Sequence, residues 1–204
     1  MLTLDNVACT RSARRLFSGI THSVAPGELL RVQGPNGAGK TSLLRMLCGL
    51  LAPTEGRVLW CGEKLSFQRD NVGHNLVYLG HAAALKDELS PLENLLDACA
   101  LGGHPAQTEA ALAALRAAGL RGHERTAVRR LSQGQRRRSA LARLALCQAA
   151  PLWVLDEPFN ALDTAATAWL SGLIEAHLQR SGMVVLTSHQ DVALSAAQQQ
   201  VLQL

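Results

Sequence analysis

A chain of 204 residues, 48% hydrophobic and 18% charged, can bury a core of its own, which excludes a disordered or fibrous protein. Its net charge of +4 suits binding of an anionic nucleotide or work near anionic lipid, but three Phe, one Tyr and three Trp leave few rings for stacking nucleic-acid bases. Cys9, Cys48, Cys61, Cys99 and Cys147 form no C-x-x-C pair, which excludes a zinc site or a small disulfide framework; they are read as buried, reduced thiols.

The N-terminal MLTLDNVACTRSARRLF lacks the charged-then-apolar layout of a secretion signal. No run approaches the ~18 apolar residues of a membrane span, so the chain is expected to be soluble and to reach a membrane only through a partner. Turn signals at Ala25-Pro26-Gly27 and Pro53-Thr54-Glu55-Gly56 punctuate alternating segments and predict antiparallel strands before residue 80. Leu29-Leu30-Arg31-Val32 is short and apolar, as a buried parallel strand is. It runs into GPNGAGKT (34–41), which matches G-x-x-x-x-G-K-[ST], and then into the helical pattern TSLLRMLCGLL. In such a loop Gly34, Pro35, Asn36, Gly37, Ala38 and Gly39 wrap phosphate oxygens with backbone N–H groups at a helix start. Lys40 then reaches the terminal phosphates, and the Thr41 hydroxyl ligates Mg²⁺.

Val77-Tyr78-Leu79 ends a further strand, and His81 opens the loop after it. From about Ala83 to Ala140 alanine and leucine dominate, which predicts a helical insert. In EAALAALRAAGL (109–120), Leu112, Leu115 and Ala118 share one face and Gly119 stands where a C-cap glycine would; LGGHPAQT (101–108) is the turn before it. LWVLDEP (152–158) is an apolar strand ending in two carboxylates, an expensive arrangement unless they serve a cation or a reaction. Asp156 fits the holder of hydrated Mg²⁺, and Glu157 a base accepting a proton from an attacking water. Met183-Val184-Val185-Leu186-Thr187 predicts another buried strand. The fold class is α/β: a parallel sheet core with an antiparallel part and a helical insert.

LSQGQ (131–135), followed by RRRSALARLAL, resembles the LSGGQ signature of ATP-binding-cassette (ABC) ATPases, with Gln133 replacing the first glycine. NALD (160–163) matches the D-loop, with Asp163 as its acid, and TSH (187–189) puts His189 at the family's switch histidine. The order of motifs also agrees along nearly the whole chain. The resemblance implies a single ABC ATPase domain, with 1–82 and 141–204 as catalytic core and 83–140 as the signature-bearing helical part. It implies ATP and Mg²⁺ as ligands, catalysis by Lys40, Glu157 and His189, and a homodimer in which Ser132, Gln133, Gly134 and Gln135 cap the ATP of the second subunit. Arg129, Arg130, Arg136, Arg137, Arg138 and Arg143 fan around their helix and are read as solvated or nucleotide-steering, with no nucleic-acid partner.

Two positions depart from the family pattern. No aromatic stands near Arg11 to stack on adenine, Phe17 reads as core, and Arg11, Arg14 and Arg15 are the alternative cation–π candidates. Aligning LSPLEN (89–94) puts His81 on the Q-loop glutamine, whose loop senses Mg²⁺ and touches the membrane partner in this family. With YLGH, LSQGQRRR and LDEPFNALD, the cassette looks like the ATP-binding subunits of the cytochrome c maturation system, the haem-exporter ATPase type. That resemblance implies a transmembrane CcmB-type subunit, other cytochrome c maturation proteins as partners, and the cytoplasmic face of the bacterial inner membrane. The role is haem export or release of a haem-loaded chaperone. The alternatives are an exporter cassette for another small substrate, against which YLGH argues, and a soluble ABC protein, which a chain this short does not fit.

Overall fold

The computed structural model describes residues 1–65, 75–190, 192–196 and 198–204. Residues 66–74 of the predicted 1–82 segment lie outside them. The first half of the chain runs β1 (Leu2–Arg11), β2 (Arg14–Val24), β3 (Glu28–Gln33), α1 (Lys40–Leu47), β4 (Glu55–Trp60), β5 (Glu63–Lys64) and β6 (Leu76–Leu79). The second runs α2 (Pro91–Leu101), α3 (Thr108–Ala117), α4 (Gln133–Leu141), α5 (Arg143–Leu146), β7 (Leu152–Asp156), α6 (Thr164–Gln179), β8 (Met183–Thr187) and β9 (Gln198–Gln203).

The three predicted apolar runs lie side by side in a five-stranded sheet of order β6-β7-β8-β3-β9, in which every pairing is parallel. They sit there because both faces of each strand are apolar. Leu29, Trp153, Leu155, Val184 and Leu186 point to the side covered by α2 to α6. Their neighbours Leu30, Val32, Leu152, Val154, Met183 and Val185 point to the other, against α1 and the antiparallel sheet. Each fully buried side chain of this size contributes about 1.5–3 kcal/mol. The antiparallel strands expected before residue 80 form a second sheet, β2-β1-β4-β5. Its first hairpin turns at Ser12 and Ala13, both at positive φ (46° and 62°), as a two-residue loop requires. Cys61 is exposed in the turn between β4 and β5, contrary to the expectation for all five thiols; the other four are buried.

The helical insert is built from strong local signals. Ser90 caps α2, Glu93 returns the bond to the Ser90 N–H, and Pro91 occupies the first turn. Asn94 then clasps the Lys86 N–H at 2.8 Å and its carbonyl at 3.0 Å, which ties down the approach to the helix. On α3, Leu115 and Ala118 are buried and Leu112 packs partly buried against the same cluster. Gly119 closes the helix at φ +80°, its N–H bonded to the Arg116 carbonyl at 3.0 Å and Leu120 N–H to the Leu115 carbonyl at 3.0 Å. That pair of bonds is a Schellman end and needs the left-handed conformation glycine adopts freely.

One core contact escaped the sequence reading. His177 of α6 is 1% exposed and lies flat on Trp153, with ring centroids 3.9 Å apart and planes 5° apart. Backbone groups of Met183 and Pro151 lie near the ring nitrogens, but neither nitrogen makes a well-formed hydrogen bond to a described residue. Burial, helped by the nearby Arg180 charge, pushes His177 down to about 4. The unfolded chain, with histidine near its ordinary value of ~6.5, takes up a proton that the fold rejects. The stability that neutral His177 supplies is therefore complete above pH ~6.5 and declines as pH falls toward 4, by up to about 3 kcal/mol. Urea unfolding of His177→Phe between pH 7.5 and 4.5 is expected to lose that part of the slope; an unchanged slope would assign the acid sensitivity elsewhere.

Candidate functional site

The chain leaves β3 at Gln33 and folds GPNGAGKT over the first turn of α1. Gly39 precedes the helix at φ +106°, where a β-carbon would lie 2.9 Å from the Phe17 ring. Phe17 is core, as expected, and its work is to back this glycine. No side chain caps α1 and its first turn holds no acid, so the leading N–H groups stay available to an anion. Lys40 reaches back over the loop, its Nζ donating to the Gly34 carbonyl at 2.7 Å and the Pro35 carbonyl at 3.4 Å.

The carboxylates arrive at the end of β7. Asp156 is 2% exposed; its Oδ2 accepts from the Thr41 hydroxyl at 2.8 Å and its Oδ1 from the Thr187 hydroxyl at 2.8 Å. Glu157 follows at φ +51°, a conformation that side-chain-bearing residues rarely adopt. Its N–H donates to Thr187 Oγ1 at 2.9 Å. Glu157 Oε2 accepts the His189 N–H at 3.1 Å, while buried Oε1 has no hydrogen bond and stands 3.5 Å from His189 Nε2. An open cavity of about 530 Å³ joins these groups to the loop. The structure thus brings together Pro35, Asn36, Gly37, Gly39, Lys40, Thr41, His81, Asp156, Glu157 and His189. Gly34 contributes through its carbonyl on Lys40, and Ala38 closes the loop through its N–H on the Pro35 carbonyl at 3.2 Å. Asn160 also lines the cavity, as the sequence reading did not foresee.

The signature residues lie elsewhere. Ser132 caps α4 and Gln135 returns the bond, with Ser132 N–H to Gln135 Oε1 at 2.9 Å. Ser132 and Gln133 are exposed, and neither lines the cavity holding Lys40 of the same chain. The replacement of glycine by Gln133 meets no obstacle because that position faces outward. Gly134 has no such freedom: a β-carbon there would lie 2.9 Å from the Ala161 carbonyl oxygen. Asp163 is likewise outside the cavity; it caps α6 by accepting the Ala166 N–H at 2.8 Å and sits 3.6 Å from Arg138.

Of the base-stacking candidates, Arg11 lines the cavity beside Leu16, whereas Arg15 pairs with Glu55. No aromatic side chain lines it among the described residues. The reading of the arginines as solvated holds for Arg129 and Arg136, which make surface pairs with Glu88 at 2.8 Å and Asp87 at 2.9 Å. For Arg137 it is wrong. That side chain turns inward from α4, its residue is 6% exposed, and it donates to backbone carbonyls beside both His81 and Glu157. Desolvation lowers its proton affinity, and the charges of Asp156 and Glu157 oppose that. Nothing in local spacing marks Arg137 out. Thr187 was findable, because two adjacent parallel strands ending in LDE and LTSH put Asp156 opposite Thr187.

A family model described as "ABC transporter" matches residues 17–160. The cytochrome c biogenesis ATP-binding export protein CcmA of Dechloromonas aromatica is 53% identical over 196 residues, 96% of this chain and 96% of that protein. Its namesake from Nitrosospira multiformis is 47% identical over 206 residues, covering all of both chains. Among solved structures, a dimeric post-hydrolysis state of the ATP-binding cassette MJ0796 bound to ADP and Pi superposes with a TM-score of 0.81 at 25% identity, over 93% of this chain and 88% of that one. An ATP-binding cassette protein from Pyrococcus furiosus, with TM-score 0.83 at 23% identity over 98% and 96%, shares the fold.

Thr187 is fully buried with both hydroxyl bonds committed to the carboxylate strand. Thr187→Val keeps the shape and strands two buried polar groups, so urea unfolding is expected to show a loss of about 1–3 kcal/mol; a loss under a few tenths would mean that the strand end holds without it.

Proposed function

The chain belongs to the ATP-binding subunits of ABC transporters and, among them, to the cytochrome c biogenesis ATP-binding export proteins, and we propose that it hydrolyses ATP to drive a membrane complex of c-type cytochrome maturation. The observation that carries the chemistry is the shared cavity in which the glycine-rich loop, Thr41, Asp156 and the bare Oε1 of Glu157 meet.

The donor set fits Mg²⁺: two hard oxygens, Thr41 Oγ1 and Asp156 Oδ2, lie 2.8 Å apart, and the described residues hold no cluster of three metal-binding side chains that would compete. Bound there, the ion supplies charge neutralisation at the terminal phosphates. The chain's own groups do the rest. Loop N–H groups of Gly37, Gly39, Lys40 and Thr41 receive phosphate oxygens, and Lys40 exchanges its two carbonyl partners for them. Glu157 accepts a proton from the attacking water at Oε1, the oxygen left without a partner. His189 orients Glu157 through its N–H, and its ring, 3.5 Å from Glu157 Oε1, borders the same cavity.

Half of this machinery is supplied by a second copy. Ser132, Gln133, Gly134 and Gln135 at the exposed start of α4, with Asp163 nearby, are the residues of one subunit that face the ATP of the other; the related cassette MJ0796 is dimeric in its solved structures. The membrane partner is a CcmB-type subunit, and two ATPase subunits with two membrane subunits form the complex at the cytoplasmic face of the bacterial inner membrane. Among the described residues no helix is long and apolar enough to cross a membrane. A groove of about 380 Å³ between Leu50, Tyr78 and Leu101 offers the partner an apolar seat, with Leu50 59% and Leu101 86% exposed. His81 stands at the boundary of the nucleotide cavity and a second one shared with Gln133, where it senses the nucleotide and the partner together. The work done is haem export, in keeping with the relatives' name, or release of a haem-loaded chaperone.

Glu157→Gln is expected to bind ATP, to turn it over at least about a hundredfold more slowly and to elute as an ATP-dependent dimer; near-normal turnover would remove Glu157 as the base. Lys40→Ala is expected to weaken ATP binding by about tenfold or more in equilibrium titration, and unchanged affinity would defeat the phosphate-loop assignment.

A further inference from the structure

Arg137 is a buried arginine whose hydrogen bonds join two segments of the nucleotide site. From the second turn of α4 its Nη1 donates to the carbonyls of Gly80 at 2.9 Å and His81 at 3.3 Å. Its Nη2 donates to the carbonyls of Asp156 at 2.8 Å and Glu157 at 2.8 Å. All four acceptors are backbone, so the guanidinium fixes main chain rather than neutralising one chosen carboxylate. A planar fork is the side chain that can hold four carbonyls at once; lysine, with a single nitrogen, cannot span them.

The place where it grips matters. Glu157 sits at φ +51° and is pinned from both sides: its N–H by Thr187 and its carbonyl by Arg137. The helix that carries Arg137 also touches the segment after Glu157 at two further points. Gly134 approaches the Ala161 carbonyl too closely for any β-carbon, and Arg138 lies 3.6 Å from Asp163. α4, the His81 loop and the Glu157 turn are thereby tied into one unit, and the capped start of α4 is exposed on it.

We propose that Arg137 is a positioning residue: it holds the Glu157 turn in its strained geometry and delivers to it the position of α4, so that nucleotide engaged at the start of α4 by a second copy sets the reactivity of the carboxylate on this one. The inference rests on the dimeric ATPase reading above. Its consequence is that hydrolysis is cooperative through Arg137, while nucleotide binding to the loop of the same chain is indifferent to it, since Lys40 and the loop N–H groups make no contact with the guanidinium.

Arg137→Gln and Arg137→Lys test it in the full-length protein, by ATPase kinetics, equilibrium ATP binding and thermal melting. Both variants are expected to lose about tenfold or more in kcat, because a displaced general base is costly. The Hill coefficient for ATP is expected to fall from about 2 toward 1, while ATP Kd stays within about twofold of wild type. A merely structural arginine would lower affinity and melting temperature along with kcat. Unchanged kcat and Hill coefficient in either folded variant, or a loss of affinity matching the loss of kcat, overturns the proposal; so does failure of both variants to fold, which would make Arg137 a core strut. Wild-type protein without ATP hydrolysis, or Glu157→Gln without an ATP-dependent dimer, would instead defeat the parent reading and this one with it.

Discussion

The buried carboxylate of Asp156 organises the site. A carboxylate 2% exposed is costly unless its oxygens are occupied, and here each accepts a hydroxyl: Thr41 from α1 and Thr187 from β8. Three elements that begin far apart in the chain are thus held at one point, at the end of the strands where loops of a parallel sheet can gather. The glycine-rich loop acquires its position relative to the acid through Thr41, and the Glu157 turn through Thr187. Charge-assisted bonds of this kind are short and strong, so the junction is also where the sheet is least free to shift.

Around that junction the protein stores conformational strain and restrains it. Glu157 adopts a left-handed backbone that few residues with a side chain tolerate. Thr187, His189 and Arg137 hold it there by binding its N–H, its side chain and its carbonyl. The same geometry leaves one buried carboxylate oxygen without a hydrogen bond. An unpaired acceptor inside a folded protein normally marks a fault; the proposed role of Glu157 as general base gives this one a use. The signature helix supports this arrangement from behind while keeping its capped start exposed.

How far this could be read in advance depended on whether the signal was local. The parallel strands were legible because Leu29–Val32, Leu152–Leu155 and Met183–Thr187 are apolar at successive positions, which only a strand covered on both faces requires. Gly119 announced the end of α3 through its φ requirement, and the glycine spacing of GPNGAGKT announced the loop that leads into α1. Arg137 was misread because arginines three, four and five residues past a helix start look alike on a helical wheel, and only packing shows which one turns inward. His177 was missed for the same reason: nothing in its neighbourhood foretells that Trp153 lies beneath it. Cys61 was assigned to the core by residue type and came out in a turn.

By itself the sequence determined the buried strands, the helix caps and the glycine-rich loop, since loop conformation, helix caps and strand burial are set by side chains a few positions apart. It also determined, through Gln133 and His81, where this chain departs from the wider ABC pattern. Tertiary structure alone decided which of those residues share a cavity, that Gln133 is harmless because it faces outward while Gly134 is indispensable against Ala161, and that Arg137 binds both halves of the site. The reason is physical: a buried contact between residues 19 to 57 positions apart depends on how sheet and helices pack, and helical spacing within α4 cannot encode which acceptors lie across the interface.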